Sequence, residues 1–150
     1  MPLLDQVNVP SVIDADIEVD VSGDNDFVAS TDIKGDMTAL DTTGGDYTWE
    51  QISTWAGPLV GLGPQNISVW TLTSVYSDGQ TNDGWEVLKG AHGQDAAIRY
   101  APKGAVNPNR RHTLIGRLVQ VSDPTPAGNQ TSWQYTAIFV GSTSFATVPA

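Results

Sequence analysis

The sequence has 150 residues, a formal net charge of −10 at pH 7 and no cysteine. These values exclude a disulfide framework and a thiolate metal site, and they argue against a protein that wraps nucleic acid, since phosphate binding depends on Lys and Arg. The charge is uneven, with twelve acids and one base in residues 1–50 against five acids and six bases in residues 51–150, a division suited to head-to-tail stacking of copies.

The first ten residues, "MPLLDQVNVP", lie between two prolines and predict an N-terminal arm (1–10) that precedes a single domain (11–150). They lack the basic and apolar regions of a signal peptide. No apolar run approaches the roughly 18 residues of a membrane span. We therefore expect a polypeptide that is made and used in soluble form, without Sec export and without a membrane partner.

The stretch "IDADIEVDVS" at 13–22 alternates between apolar and polar residues without exception. A period of two predicts a strand with one apolar face and one wet face. Acids in a row repel one another, so we expect this row to be dispensable for folding and to face solvent. Charge reversal by lysine at 14, 16 and 20 should then leave the fold largely intact. The acidic face consists of Asp14, Asp16, Glu18 and Asp20.

The next part of the chain predicts short elements and one long excursion. "SGDND" at 22–26 is typical of a turn, and "FVASTDIKGDMTAL" at 27–40 predicts one or two short strands with a break at Gly35. Residues 41–66 are predicted as a long loop, because Gly and Pro interrupt any longer element. Within it, Thr48 and Gln51 form a capping-box pattern that favours about one turn of helix.

The C-terminal half predicts strands around one short helix. "NISVWTLTSVYSDG" at 66–79 is rich in strand-forming residues. Residues 83–90 predict a helix capped by Asp83 and Glu86 and ended by Gly90. Three strands follow: "AAIRYAP", "HTLIGRLVQVSD" and "TSWQYTAIFVG". In the second, strict alternation places Ile115, Val119 and Val121 on one face. In the third it places Trp133, Tyr135, Ala137 and Phe139 together.

The predicted fold is mainly β. It is an antiparallel β-sandwich or open barrel of six to seven strands, with one short flanking α-helix, an N-terminal arm and one long loop.

Candidate chemical sites are few. His92 and His112 lack metal-ligand spacing and are interpreted as surface residues. Asp20, Asp24 and Asp26 offer the hard oxygens that calcium prefers, but the EF-hand spacing is absent, which favours an acidic turn. No nucleophile elbow or P-loop is present. We expect no catalytic, cofactor-binding or metal-binding residue.

The five tryptophans leave two interpretations open. Trp133 and Tyr135 on one strand face could stack on sugar rings, as in a carbohydrate-binding module. The same stripe continues through Ala137 and Phe139, which favours a core face instead.

Most of residues 30–142 resemble the phage tail tube proteins of long, non-contractile tails. The resemblance lies in the order and spacing of several segments: "DIKGDMTAL" at 32–40, "YSDG" at 76–79, "GWEVLKGAHGQD" at 84–95, "AAIRYAP" at 96–102, "GRLVQVSDPTPAG" at 116–128 and "SWQYTAIFVGS" at 132–142. The family often has a hairpin where this chain has the Gly/Pro-rich segment 47–65.

This resemblance implies a structural protein rather than an enzyme. Such proteins form hexameric rings that stack into a tube around a tape measure protein. They meet tail terminator and distal tail proteins, and genomic DNA passes through without specific binding. The implied location is the virion tail, with assembly in the host cytoplasm.

The resemblance implies a lumen that is generally negative, along which DNA slides without sticking. From the alternation of "IDADIEVDVS", rather than from a matched motif, we infer that Asp14, Asp16, Glu18 and Asp20 face this lumen. The proposed inter-subunit contacts of the long loop are Trp49, Trp55, Leu59 and Val60. The alternatives are another phage structural β-protein, such as a tail terminator or a capsid decoration protein, and a carbohydrate-binding module.

Overall fold

The computed structural model describes residues 15–28, 30–33, 37–76, 84–126, 128 and 132–149. The predicted N-terminal arm, Asp14, Gly35 and Asp83 lie outside the described residues. The elements in chain order are β1 Asp16–Asp20, β2 Thr31–Asp32, β3 Met37–Thr43, β4 Tyr47–Thr54, β5 Gly57–Gln65, β6 Ser68–Val75, α1 Gly84–Gly90, β7 Asp95–Ala101, β8 Arg110–Val121, β9 Thr125–Pro126 and β10 Trp133–Thr147.

Seven strands form one antiparallel sheet in the order β2-β1-β7-β8-β10-β6-β3, and β9 pairs with the start of β10. The sheet curls into an open half-barrel, and β4 and β5 form a second, small sheet. The prediction of a mainly β, open-barrel fold with one short helix is confirmed. The strands that the sequence failed to predict are β4, β5 and the two-residue β9.

The hydrophobic core lies on the concave face of the half-barrel. Strand β6 shows strict alternation of buried and partly buried residues, as its sequence predicts. In β1, Ile17 and Val19 are buried, in agreement with the alternation of "IDADIEVDVS". Central strands contribute the most deeply buried side chains, among them Leu72, Ile98, Leu114, Leu118 and Phe139.

Strand β8 does not keep the predicted alternation. Leu118 pairs with Phe139 and Gln120 pairs with Ile138, so Val119 is an extra residue in a β-bulge. The bulge reverses the phase of the strand: Leu118 and Val121 are both buried, whereas Val119 is exposed. The prediction that Ile115, Val119 and Val121 share one face is therefore wrong.

Helix α1 covers one end of the concave face. Leu88 is fully buried in the core. The indole N–H of Trp85 donates to the carbonyl oxygen of Ser122 at 3.1 Å, and the N–H of Gly93 donates to the carbonyl oxygen of Leu118 at 2.7 Å. The helix has only seven residues, so these contacts, rather than intrinsic helix propensity, hold it in place.

Residues 47–65 form a β-hairpin, which corrects the predicted loop at 41–66 and its helical turn. Thr54 pairs with Gly57 across the tip, and Trp55 and Ala56 form the turn. Gly57 has a φ of +124°, a conformation that L side chains rarely adopt. Prolines are tolerated because both strands of a two-stranded sheet are edge strands. Residues 41–43 belong to β3 rather than to a loop.

Within the described part of the chain, no helix has the length and hydropathy needed to cross a membrane.

Candidate functional site

The β4–β5 hairpin presents apolar side chains that this chain leaves uncovered. Every residue of β4 is exposed, and so are seven of the nine residues of β5. Trp55 at the tip is fully accessible, and Trp49 and Val60 are each 70% exposed. Large exposed apolar patches mark interaction surfaces. All four residues predicted as inter-subunit contacts therefore lie together on one exposed element: Trp49, Trp55, Leu59 and Val60.

Both faces of the hairpin are apolar. Trp49 is paired with Leu62 and Gln51 with Val60, which places three apolar side chains on one face. Ile52 is paired with Leu59 on the other face. Sequence reasoning did not identify Ile52 and Leu62 as contact residues, because the segment was interpreted as a loop with about one turn of helix rather than as two paired strands. An isolated two-stranded hairpin is at best marginally stable in water, so this one needs a covering surface.

The end of the concave face farthest from α1 is an open groove of about 260 Å³. Aromatic rings form a ladder along it. Trp70 lies 5.2 Å from Tyr100, Tyr100 stacks on His112 at 5.0 Å, and His112 lies 5.9 Å from Phe145. The other lining residues are small: Thr42, Thr43, Gly44, Ser68, Thr143 and Ser144.

The ladder passes from the core to solvent. Trp70 is 4% exposed and Phe145 is 68% exposed. Burial raises the pKa of the Tyr100 phenol above its ordinary value of 10.0, so this group stays neutral at physiological pH. The groove therefore offers stacking surface and neutral hydroxyl groups. The sequence could not reveal it, because its residues come from five strands and one connecting segment.

Strand β10 has an open edge beside this groove. Strand β6 pairs with β10 only as far as Ser68, which lies opposite Gly141. From Ser142 to Thr147, β10 continues with β8 alone. On the side of β10 away from β8, the backbone N–H and C=O groups of residues 142–147 therefore have no strand partner among the residues that the structure describes. A free edge of this kind can accept an incoming strand.

The acidic face of β1 is not the free row that was expected. Asp16 is half-buried and accepts a hydrogen bond from the N–H of Ala105 at 2.7 Å. Glu18 is also half-buried, and it accepts from Arg99 at 3.1 Å and from the hydroxyl of Ser30 at 2.6 Å.

Asp20 is fully buried. Its carboxylate accepts from the N–H and the hydroxyl of Ser22, at 2.9 and 2.5 Å, and from the N–H of Phe27 at 2.8 Å. The expectation of a solvent-facing row is therefore wrong for Asp20, and the contacts of Asp16, Glu18 and Asp20 argue against a row that is dispensable for folding. Because Asp20 has no accessible surface, it cannot line a channel formed by this chain, whereas the lumen assignment of Asp14, Asp16 and Glu18 stays a prediction.

Asp20, Asp24 and Asp26 converge in the loop after β1, with carboxylate oxygens within 4.8 Å of one another. Hard oxygens at this spacing could contact a cation. The loop is, however, organised by its own hydrogen bonds, as an acidic turn would be. The hydroxyl of Ser22, whose single hydrogen is shared between the Asp20 and Asp24 carboxylates, and the N–H of Asp26 lower the pKa of the Asp24 carboxyl below its ordinary 3.8, so it stays ionised.

The remaining candidate residues have structural positions. His92 is exposed and lies 3.3 Å from the carbonyl oxygen of Val119, whereas His112 is half-buried in the aromatic ladder. Trp133 and Tyr135, the pair that the alternative sugar-stacking interpretation requires, do not form an open face, because Tyr135 is only 2% exposed. Tyr135, Ala137 and Phe139 form the core stripe instead, while Trp133 is 53% exposed at the strand start.

No protein-family model and no curated protein matches the sequence. Among solved structures, the chain is similar over 98% of its length to 96% of a protein in the anti-feeding prophage cap, a tube-terminating cap, with 12% identity and a TM-score of 0.60. It is similar over 93% of its length to 98% of a protein in the sheath/tube terminator of an extracellular contractile injection system, with 12% identity and a TM-score of 0.61. It is also similar over 94% of its length to the whole of a protein in the tail of a gene transfer agent particle with C6 symmetry, at 10% identity and a TM-score of 0.61. These likenesses show a shared fold.

Proposed function

We propose that this chain is a structural protein of a phage-type tail, which assembles into hexameric rings of the tail tube and has no catalytic role. The observation that carries the proposal is the fold likeness to proteins of tail assemblies, which covers more than nine tenths of both chains in each comparison. One of these assemblies has C6 symmetry. Two belong to an anti-feeding prophage and a contractile injection system, so the proposal is not restricted to non-contractile tails.

The surface of the chain supports an assembling role. The hairpin exposes apolar side chains on both faces, and the half-barrel ends in an uncovered groove. A chain that leaves this much apolar surface in water gains free energy when copies cover it, at roughly 25 cal/mol per Å². The inter-subunit contacts proposed for Trp49, Trp55, Leu59 and Val60 belong to this surface.

The test is the assembly state of the purified chain, measured by analytical ultracentrifugation and negative-stain electron microscopy over a range of concentrations. We expect ring particles with six-fold symmetry that stack into tubes as the concentration rises. A variant in which a short Gly-Ser linker replaces residues 47–65 serves as the control and should stay monomeric. A full-length chain that is monomeric at every concentration reached would overturn the proposal.

A second candidate is a tail terminator, since two of the similar proteins come from a tube-terminating cap and a sheath/tube terminator. The same micrographs separate the two functions. A tube protein presents matching surfaces above and below its ring and therefore stacks without limit. A terminator stops after one ring, so isolated rings that never stack at high concentration would favour it.

Further partners follow from a tube role: a tape measure protein inside, terminator and distal tail proteins at the ends, and genomic DNA in transit. The location would be the virion tail after assembly in the host cytoplasm. The low count of seven Lys and Arg residues against seventeen acids supports a surface to which DNA does not adhere. Among the described lumen candidates, Asp16 and Glu18 retain partial exposure for such a role.

A further inference from the structure

The uncovered hairpin and the uncovered groove lie on the same chain, yet the two cannot meet within one copy. The groove is lined by residues 42–44 and by Ser68, which lie immediately beside the base of the hairpin. At that base, the N–H of Asn66 donates to the carbonyl oxygen of Asp46 at 2.7 Å. Eight extended residues place the tip about 26 Å from this base, since a strand rises about 3.3 Å per residue. The tip is thus held away from its own groove.

We propose that the groove is the acceptor site for the hairpin tip of a second copy of this chain, with Trp55 seated against Phe145 and His112. This inference deepens the proposed assembly and rests on it, because it requires copies of the chain to meet in a ring or between rings. The contact is heterologous: a donor surface on one copy meets a different, acceptor surface on the next. Such contacts generate closed rings or continuing stacks.

The chemistry of the two surfaces fits this pairing. Trp55 is the most exposed large hydrophobic side chain of the described residues, and Phe145 supplies an exposed ring at the mouth of the groove. Aromatic rings pair at centroid separations of 4.5–7 Å, the range already seen between His112 and Phe145. A tryptophan placed there would extend the existing ladder by one ring.

Backbone and charge add to the fit. The edge of β10 from Ser142 onward offers unpaired donors and acceptors to an incoming hairpin strand. Residues 47–65 carry a single charge, on Glu50, and no base. On the acceptor side, Arg110 lies two residues before His112 in β8 and so shares its face, and no described carboxylate lies within 4.0 Å of it. The hairpin, which carries a negative charge, therefore docks beside a positive charge at the edge of the groove.

The first test compares Trp55→Ala with Trp133→Ala in full-length chains by sedimentation equilibrium. Trp133 is also exposed, but it lies at the opposite end of β10. Removal of an anchor residue should raise the dissociation constant of self-association roughly 30-fold or more, the effect typical of a hot spot. The Trp133→Ala control should change it less than about threefold, as peripheral residues do. Equal effects would overturn the inference.

The second test uses the absence of native cysteine. Ala56→Cys beside the tip is mixed with Thr143→Cys in the groove, each in a separate chain, and disulfide formation between chains is followed by non-reducing electrophoresis. Thr143 is chosen because it lies two residues from Phe145 in β10 and shares its face. Thr125→Cys, which lies at the far end of β10, replaces Thr143→Cys in the control. We expect the groove pair to cross-link at least tenfold faster. Equal rates would refute the docking.

The two proposals can fail separately. Six-fold rings without selective cross-linking would leave the tail-tube proposal standing and remove the acceptor site. Selective cross-linking in open chains or filaments without six-fold rings would leave the acceptor site standing and remove the tail-tube proposal.

Discussion

Asp20 carries its carboxyl group inside the protein, where hydrogen-bond donors from neighbouring residues surround it. Three donors from Ser22 and Phe27 contact its two oxygens, while the chain reverses direction around it. Charge-assisted hydrogen bonds of this kind offset the cost of removing a carboxylate from water. Phe27 adopts a φ of +60°, and the guanidinium carbon of Arg99 lies 4.2 Å from the centroid of its ring. The acid therefore organises the loop after β1.

Replacement of this acid should destabilise the fold. Asp20→Ala removes the acceptor of the buried N–H of Phe27, so we expect the free energy of unfolding to fall by about 2–4 kcal/mol. Asp41→Ala is the matched control, because Asp41 is exposed on β3 and should change stability by no more than about 0.5 kcal/mol. Urea denaturation followed by tryptophan fluorescence measures both. Equal losses in the two variants would show that Asp20 has no special structural role.

At the scale of elements, alternation and turn residues predicted the strands of the main sheet, and a cap and a stop predicted α1. They failed where the chain departs from simple periodicity. The bulge at Val119 moves the following residues of β8 to the opposite face of the sheet. The sequence does not reveal where such a single extra residue lies, because the composition of the strand is unchanged by it. The hairpin was missed because Pro58, Gly61 and Pro64 resemble loop residues, although edge strands tolerate them.

The candidate site was predictable only in part. Trp49, Trp55, Leu59 and Val60 were identified as contacts through the family resemblance; all four are exposed, and their contact role stays a prediction. The groove was not predicted, since it depends on strand register, which juxtaposes Tyr100 with residues more than forty positions along the chain. The exposure of the acidic row was predicted wrongly, because alternation indicates which way a side chain points. It does not indicate which hydrogen-bond donors other segments place around that side chain.

The pairing of β8 with β10 depends on close backbone approach at two glycines. Gly116 lies opposite Gly141, and a Cβ on Gly116 would overlap the carbonyl oxygen of Val140 and lie 2.6 Å from the Cα of Gly141. Because the obstructing atoms are backbone, neither strand can yield by turning a side chain. The sheet at this position therefore accepts only glycine without rearrangement.

We expect Gly116→Ala to lower the free energy of unfolding by at least about 2 kcal/mol through overpacking. Gly90→Ala is the control, because no heavy atom lies within 4 Å of its added Cβ and it ends a helix. That variant should be neutral or more stable by up to about 1 kcal/mol. Thermal denaturation by circular dichroism measures the difference. A Gly116→Ala chain as stable as the parent would mean that the two strands lie farther apart than described.

At the scale of the whole molecule, the chain divides its apolar surface between a buried core and an exposed hairpin. The core is closed at one end by α1 and left open at the other, next to the base of the hairpin. Donor tip and acceptor groove are separated by about the length of the hairpin, roughly 26 Å at about 3.3 Å per residue. If copies assemble through these surfaces, that length sets the spacing between neighbouring subunits.

Assembly of this kind should appear as stability that depends on concentration. A partner that binds only the folded chain adds about 2.7 kcal/mol when its concentration is 100 times the dissociation constant. For a chain of this length, that corresponds to a rise in Tm of roughly 5–10 °C across such a concentration range. Differential scanning calorimetry of the full chain at dilute and concentrated conditions measures it.

The variant with a linker in place of residues 47–65 tests whether the hairpin causes the dependence of Tm on concentration. Its body should still fold, because every residue of β4 is exposed and β4 pairs only with β5. Its Tm should then stay constant over the same range, since the donor surface is gone. A shift of equal size in both chains would place the contacts elsewhere on the half-barrel. The edge of β3 would be the next surface to test, because β3 is the longer of the two outer strands of the main sheet and is mostly exposed.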